Sequence, residues 1–92
     1  MSERYTLQFS EDAIEDLKKL DRKVSERVIK KMSWVAENAE DVKHDALTGE
    51  WSGYFRWRIG DYRAIYLLNE QGRLLIVAVV GHRRDVYEDY MI

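Results

Sequence analysis

Hydrophobic and polar positions change their period several times along this chain. Tyr5-Thr6-Leu7-Gln8-Phe9 alternates, the two-residue period of a strand with one buried face. Ser10 follows as a helix N-cap, with Glu11 and Asp12 in the first turn, where the helix dipole favours negative charge. Ile14, Leu17 and Leu20 then recur at helical spacing. Asp21 is placed to cap a second helix, in which Val24, Val28, Ile29, Met32, Val35 and Ala36 form an apolar stripe that fades near Asn38. Trp34 on that helix is expected to pack.

Residues 39–53 have no clear period and contain Gly49 and Gly53, so they read as a connection carrying one anchor, Leu47. Tyr54 to Ile59 alternates, Gly60-Asp61 makes a tight turn, and Tyr62 to Asn69 alternates again. Glu70-Gln71-Gly72 turns the chain into Arg73 to Val80. Short turns between successive strands imply antiparallel hairpins. Helices precede strands rather than alternating with them, so the expected class is α+β. An N-terminal strand and a helical hairpin cover one face of a small antiparallel sheet of about four strands. Arg84 to Ile92 forms a short C-terminal helix or extended end.

The length of 92 residues suits a single domain, 1–92, with 46% hydrophobic residues, ordinary for a globular protein. Cysteine is absent and the two histidines, His44 and His82, are far apart, which argues against a metal cluster or any resident cofactor. The longest purely apolar run, Leu74 to Val80, is far too short to span a membrane. Met1-Ser2-Glu3-Arg4-Tyr5 lacks the pattern of a secretory signal, so a cytoplasmic location is expected.

Charge changes the picture more than composition does. The net charge is −2, but its distribution is uneven. Residues 51–84 carry Arg56, Arg58, Arg63, Arg73, Arg83 and Arg84 against only Asp61 and Glu70. Each of these cations is arginine, whose planar fork suits phosphate. In an alternating strand Arg56 and Arg58 share a face, with Phe55, Trp57 and Ile59 on the other. Arg63 lies just past the turn on the partner strand. Arg83 follows Gly81-His82 at the end of the next strand, and Tyr87 lies four residues further on. One layer of helices cannot cover both faces of the sheet. An open groove lined by arginines and a ring is the anatomy of a single-stranded RNA site. The plainer alternative pairs each arginine with a carboxylate of the acidic N-terminal half. It is the better account of any single arginine and the poorer account of the set. Trp57, Tyr62 and Tyr66 read as core or half-buried platform, Trp51 as groove rim or packing.

Three segments together carry a specific resemblance: Leu47-Thr48-Gly49, Tyr54 through Tyr66 with its R-x-G-D-Y-R-x-x-Y core, and Val80 through Tyr87 with G-H-R-x-x-x-Y. At this spacing they resemble the RelE/ParE superfamily of toxins, and the match spans almost the whole chain. The resemblance to RelE members implies a type II toxin, a metal-independent endoribonuclease that cuts messenger RNA in the A site of the 30S ribosomal subunit. The implied chemistry is attack of the ribose 2′-hydroxyl on the adjacent phosphate. Residue by residue, Arg56 and Arg58 fall where the family often has two lysines, and Arg63 and Arg83 match its phosphate-stabilising arginines. Tyr87 matches the tyrosine that holds base and backbone, and Arg84 joins the RNA-binding set. Implied partners are the ribosome, messenger RNA and a RelB-like or other short antitoxin in a heteromeric complex.

The departure from the family pattern matters chemically. A lysine crowded by positive charge can lose its proton, whereas an arginine stays charged, so Arg56 and Arg58 serve as clamps and not as bases. His82 is then the candidate proton-transfer group, against the commoner structural role of a lone histidine beside a turn. Two further readings share the fold: a ParE-like inhibitor of DNA gyrase, and a degenerate toxin that only binds its antitoxin and helps repress their operon.

Overall fold

The computed structural model describes residues 4–90, with side chains from residue 4 to 86. Strand β1 (Thr6–Phe9) leads into helix α1 (Glu11–Lys18), and a short turn leads to helix α2 (Arg22–Glu37). A brief strand β2 (Asp45–Ala46) and a 3₁₀ turn over Gly49–Trp51 precede β3 (Phe55–Ile59), β4 (Tyr62–Asn69) and β5 (Leu74–His82). Helix α3 (Arg83–Tyr90) ends the described chain. Among the described residues no helix is long and apolar enough to cross a membrane.

The sheet has five strands in the order β1-β5-β4-β3-β2. The α+β class and the helical hairpin are as the periodicity predicts, with two differences in the sheet. It is mixed, because β1 runs parallel to β5, and β2 adds a fifth strand inside the aperiodic connection. Both differences have a physical cause. The helical hairpin carries the chain across the sheet, and the β3-β4-β5 meander then returns to β1 in the same direction. A two-residue strand leaves no alternation to read.

Strand β5 outruns β1, whose pairing stops at Phe9↔Val77. Helix α1 covers the rest of that edge. Ser10 accepts the Ala13 N–H at 3.1 Å as N-cap, and its hydroxyl donates to the Ala78 carbonyl, 68 positions away, at 3.0 Å. The Asp16 carboxylate accepts the Val80 N–H at 3.0 Å. Backbone groups that a longer β1 would have paired are thus satisfied by side chains. Asp21 occupies the N-cap position of α2, but its carboxylate makes no capping bond.

On the helix side of the sheet, Val28, Met32, Val35 and Ala36 of α2 pack against Ala64, Tyr66, Leu75, Val77 and Val80. The predicted stripe is one residue too wide, since Ile29 is 41% exposed. Trp34 is not packed away either; it is 45% exposed and meets Trp57 at 6.4 Å between ring centroids. The opposite face carries a smaller cluster of Leu47, Ile65 and Val86, with Trp51, Tyr54 and Val79 around it. Leu47 is the anchor its setting predicts. Gly81 lets α3 approach closely, because a Cβ there would lie 3.2 Å from a Val86 methyl. Gly60 has a positive φ of +60°, which the first central position of the β3–β4 turn uses and a side chain would strain.

Ser10→Ala removes both the N-cap and the tie to Ala78. It is expected to lower unfolding free energy by about 1–2 kcal/mol in urea titration.

Candidate nucleic-acid interface

Strand pairing decides which of the arginines meet. In the β3–β4 ladder Arg58 lies directly opposite Arg63, and Arg56 lies opposite Ile65. On its other side Arg63 pairs with Gly81, which has no side chain to fill the space. Arg56, Arg58 and Arg63 therefore share the face that α1 and α2 leave uncovered, beside the Leu47–Ile65–Val86 cluster. Like charges directly opposite one another cost stability unless their charge is dissipated. Here Arg63 turns away: it is 6% exposed, and its Nη1 donates to the carbonyls of Gly60 and Tyr62, each at 2.8 Å. Arg58 remains exposed.

Arg83 reaches the same end of the sheet through its backbone, whose N–H donates to the Asp61 carbonyl at 2.7 Å. That bond ties the end of β5 to the turn over which the Arg63 guanidinium folds. Arg83 and Arg84 are exposed. Among the described residues none of Arg58, Arg83 and Arg84 forms an ion pair. Arg56 is different. The Asp45 carboxylate, its cross-strand neighbour, accepts from Nε at 2.9 Å and Nη2 at 2.5 Å, and only 12% of the Arg56 side chain is exposed. For this one arginine, local pairing with an acid is what the fold provides.

His82 stands apart from the set. It pairs with Tyr62, one position out of phase with Gly81↔Arg63, and so projects to the helix side. Its ring lies edge-on to Tyr62 at 5.4 Å, lining a cavity of about 330 Å³ with Asp16, Lys19 and Leu20. Its Nδ1 accepts the Arg84 N–H at 3.3 Å. Tyr87 lies on α3, and its side chain falls outside the described residues.

The larger concavity, about 720 Å³, is an open cleft over β3 that includes residues the sequence patterns do not single out. Lys31 of α2, Lys43 and His44 line it together with Asp45, Arg56, Trp57 and Arg58. Strand β2 ends its pairing at Asp45↔Arg56, so the cleft lies beside the outer edge of β3. His44 fixes this wall. Its Nε2 lies 2.7 Å from the Ala39 carbonyl, which only accepts, so Nε2 carries a proton, and Nδ1 shares a hydrogen bond with the Tyr66 hydroxyl at 2.5 Å. The imidazole is thereby held in place among the rings of Phe55, Trp57 and Tyr66. Burial, reinforced by the nearby Asp45 charge, pushes the Tyr66 phenol well above its ordinary value of 10.0. The only hint of this wall in the sequence is an isolated Lys43-His44-Asp45 in an aperiodic stretch.

Comparison with known proteins agrees with this architecture. A family model described as the ParE toxin of the type II toxin-antitoxin system, parDE, matches residues 7–87. The toxin–antitoxin complex RelBE2 from Mycobacterium tuberculosis contains a similar chain, with 27% identity, a TM-score of 0.78, and coverage of 87% of this chain and 92% of that one. The isolated E. coli RelE toxin is 27% identical with a TM-score of 0.71, covering 92% of this chain and 93% of that one. YafQ from E. coli strain BL21(DE3), at 18% identity and a TM-score of 0.72 over 91% of this chain and 99% of that one, shares the fold. No curated protein sequence matches the chain.

Tyr66→Phe leaves His44 Nδ1 without its hydrogen-bond partner and is expected to cost about 1–2 kcal/mol of stability. The phenol also sets a pH dependence. An unfolded tyrosine ionises near 10 while folded Tyr66 stays protonated, so its contribution is complete below pH 10 and is lost as pH rises beyond it. Urea titrations of wild type and Tyr66→Phe across the alkaline range should show the steeper decline in the wild type.

Proposed function

The chain belongs to the ParE toxin family of type II toxin–antitoxin systems, within the RelE/ParE superfamily, and on that premise we propose that it is a ribosome-dependent endoribonuclease cutting messenger RNA in the A site. The observation that carries this reading is the Arg58–Arg63 opposition on the uncovered face, with the Arg83 backbone tied to the same turn. Arg58, exposed and without an ion pair among the described residues, stands one strand pair from the fixed Arg63 guanidinium, where a phosphate can meet it.

In the proposed reaction the ribose 2′-oxygen bonds to the adjacent phosphorus and gives up its proton. The 5′-oxygen leaves and takes a proton, so the products are a 2′,3′-cyclic phosphate and a 5′-hydroxyl. The nucleophile belongs to the substrate, and no metal-bound water is called for. Arg58, Arg63 and Arg83 stabilise the charge that builds on the phosphoryl oxygens. Arg56, locked to Asp45, shapes the cleft wall and adds field to it. Arg84 steers the backbone, and Tyr87 stacks on a base. Arginine does not act as a base near neutral pH, so much of the acceleration comes from the ribosome presenting the codon with its 2′-hydroxyl in line. A short antitoxin, RelB-like or of another type, silences the protein by covering this face in a heteromeric complex.

A second reading has one observation in its favour, the family model's description as a ParE toxin. In it the protein inhibits DNA gyrase and cuts nothing. A reconstituted translation system with mapping of messenger 5′ ends, run beside a gyrase supercoiling assay, separates the two. Ribosome-dependent cuts within codons are the expected result. Blocked supercoiling with intact messenger would overturn the nuclease reading.

Arg58→Gln and Arg83→Gln should each slow cleavage about 10²–10³-fold in that system. His82→Gln should cut at the wild-type rate, because its ring lies on the other side of the sheet. Between pH 6 and pH 8 the single-turnover rate should rise steadily, without the inflection near 6.5 that a histidine base imposes.

A further inference from the structure

A second charged surface lies outside the arginine face. Along α2, Arg27, Lys30, Lys31 and Trp34 follow one another at positions i, i+3, i+4 and i+7, so they occupy one side of the helix. All are exposed, and together they line a shallow groove of about 260 Å³. Lys31 also lines the 720 Å³ cleft, together with Lys43 and Arg58. The two concavities therefore join through one side chain. The Arg27 guanidinium lies beside the β3–β4 turn, where a Cβ on Gly60 would sit 3.4 Å from its Nη1. Among the described residues, Arg27, Lys30, Lys31, Lys43 and Arg58 form no ion pair, and Asp45, the one carboxylate lining these walls, is held by Arg56.

We infer that the α2 side of this belt, Arg27, Lys30, Lys31 and Trp34, is a binding surface for an RNA strand that adjoins the face where cleavage is proposed. The inference extends the RNA-directed reading to a new surface and depends on it only for the choice of polyanion. A line of unneutralised cations on a chain of net charge −2 concentrates positive potential where a phosphate backbone can follow it. The aromatic ring selects nucleic acid over an acidic polypeptide. Trp34, 45% exposed, is steadied by the Lys31 ammonium 4.6 Å from its ring centre and by Trp57 beside it. Such a ring is a platform for a base, and interleaved cations and aromatics are the pattern of single-strand binding. The belt gives a strand a second hold on the molecule, at a distance from the reacting phosphate.

Fluorescence anisotropy of a short labelled oligouridylate, titrated with the full-length protein over a range of salt concentrations, tests this without ribosomes or cleavage. Lys30→Gln combined with Lys31→Gln is expected to weaken binding about tenfold at low salt. It should also reduce the slope of log affinity against log salt by about 1.4, for two lost phosphate contacts on a single strand. Trp34→Ala should weaken binding by at least about fivefold and leave the slope unchanged, the signature of lost stacking. Wild-type affinity and slope in the lysine double variant would overturn the belt. Unchanged affinity in Trp34→Ala, with oligoglutamate bound more tightly than RNA, would overturn it in favour of an acidic protein segment. Absence of ribosome-dependent cleavage would leave these titrations as they stand, so the two readings fail separately.

Discussion

A sheet has two faces, and this chain carries enough amphipathic helix to cover only one. α1 and α2 spend their apolar side chains on Ala64, Tyr66, Leu75 and Val77. The other face is left with a small cluster under α3 and the Leu47 loop. Positions on that face which cannot be buried by a helix must carry groups that tolerate water. Here Arg58 meets the water, while Arg56 and Arg63 are tied to Asp45 and to two backbone carbonyls. The same shortage of helix that keeps the protein small opens the surface on which its chemistry is proposed.

The arginines do not behave alike, and the differences follow from what lies beside each. Arg56 has an acid directly across β2–β3 and is clamped by it. Arg63 has Arg58 on one side and Gly81 on the other, and it turns onto two carbonyls of the adjacent turn. Arg58, Arg83 and Arg84 face solvent. A set that looks uniform along the chain is thus graded, from a tied structural charge to freely available ones. That gradation suits a site whose cations must be fixed in position and still accept a new anion.

The cleft beside β3 depends on a contact that has nothing to do with arginine. His44, bonded on both ring nitrogens, holds the 39–46 segment against Tyr66, and the next residue, Asp45, holds Arg56. A part-buried pair of hydrogen bonds on His44 therefore helps to position the Arg56 guanidinium. Beyond it, Lys31 links the cleft to the basic side of α2, so positive potential runs from the uncovered face around the open edge of the sheet.

Much of the architecture was legible from local pattern. The period-two stretches, the Ser10 cap, the Gly60-Asp61 turn and the Leu47 anchor are consequences of side-chain spacing and backbone preference, both short-range. Alternation alone put Arg56 and Arg58 on one face. What no local pattern contains is pairing across distance. The parallel match of β1 with β5, the opposition of Arg58 and Arg63, and the half-step that turns His82 away from them are set by register, where a shift of one residue reverses every side chain. The His44–Tyr66 bond and the meeting of Lys31 with Lys43 lie beyond periodicity for the same reason: they join a helix, an aperiodic loop and a strand that come together only when the hydrophobic core closes.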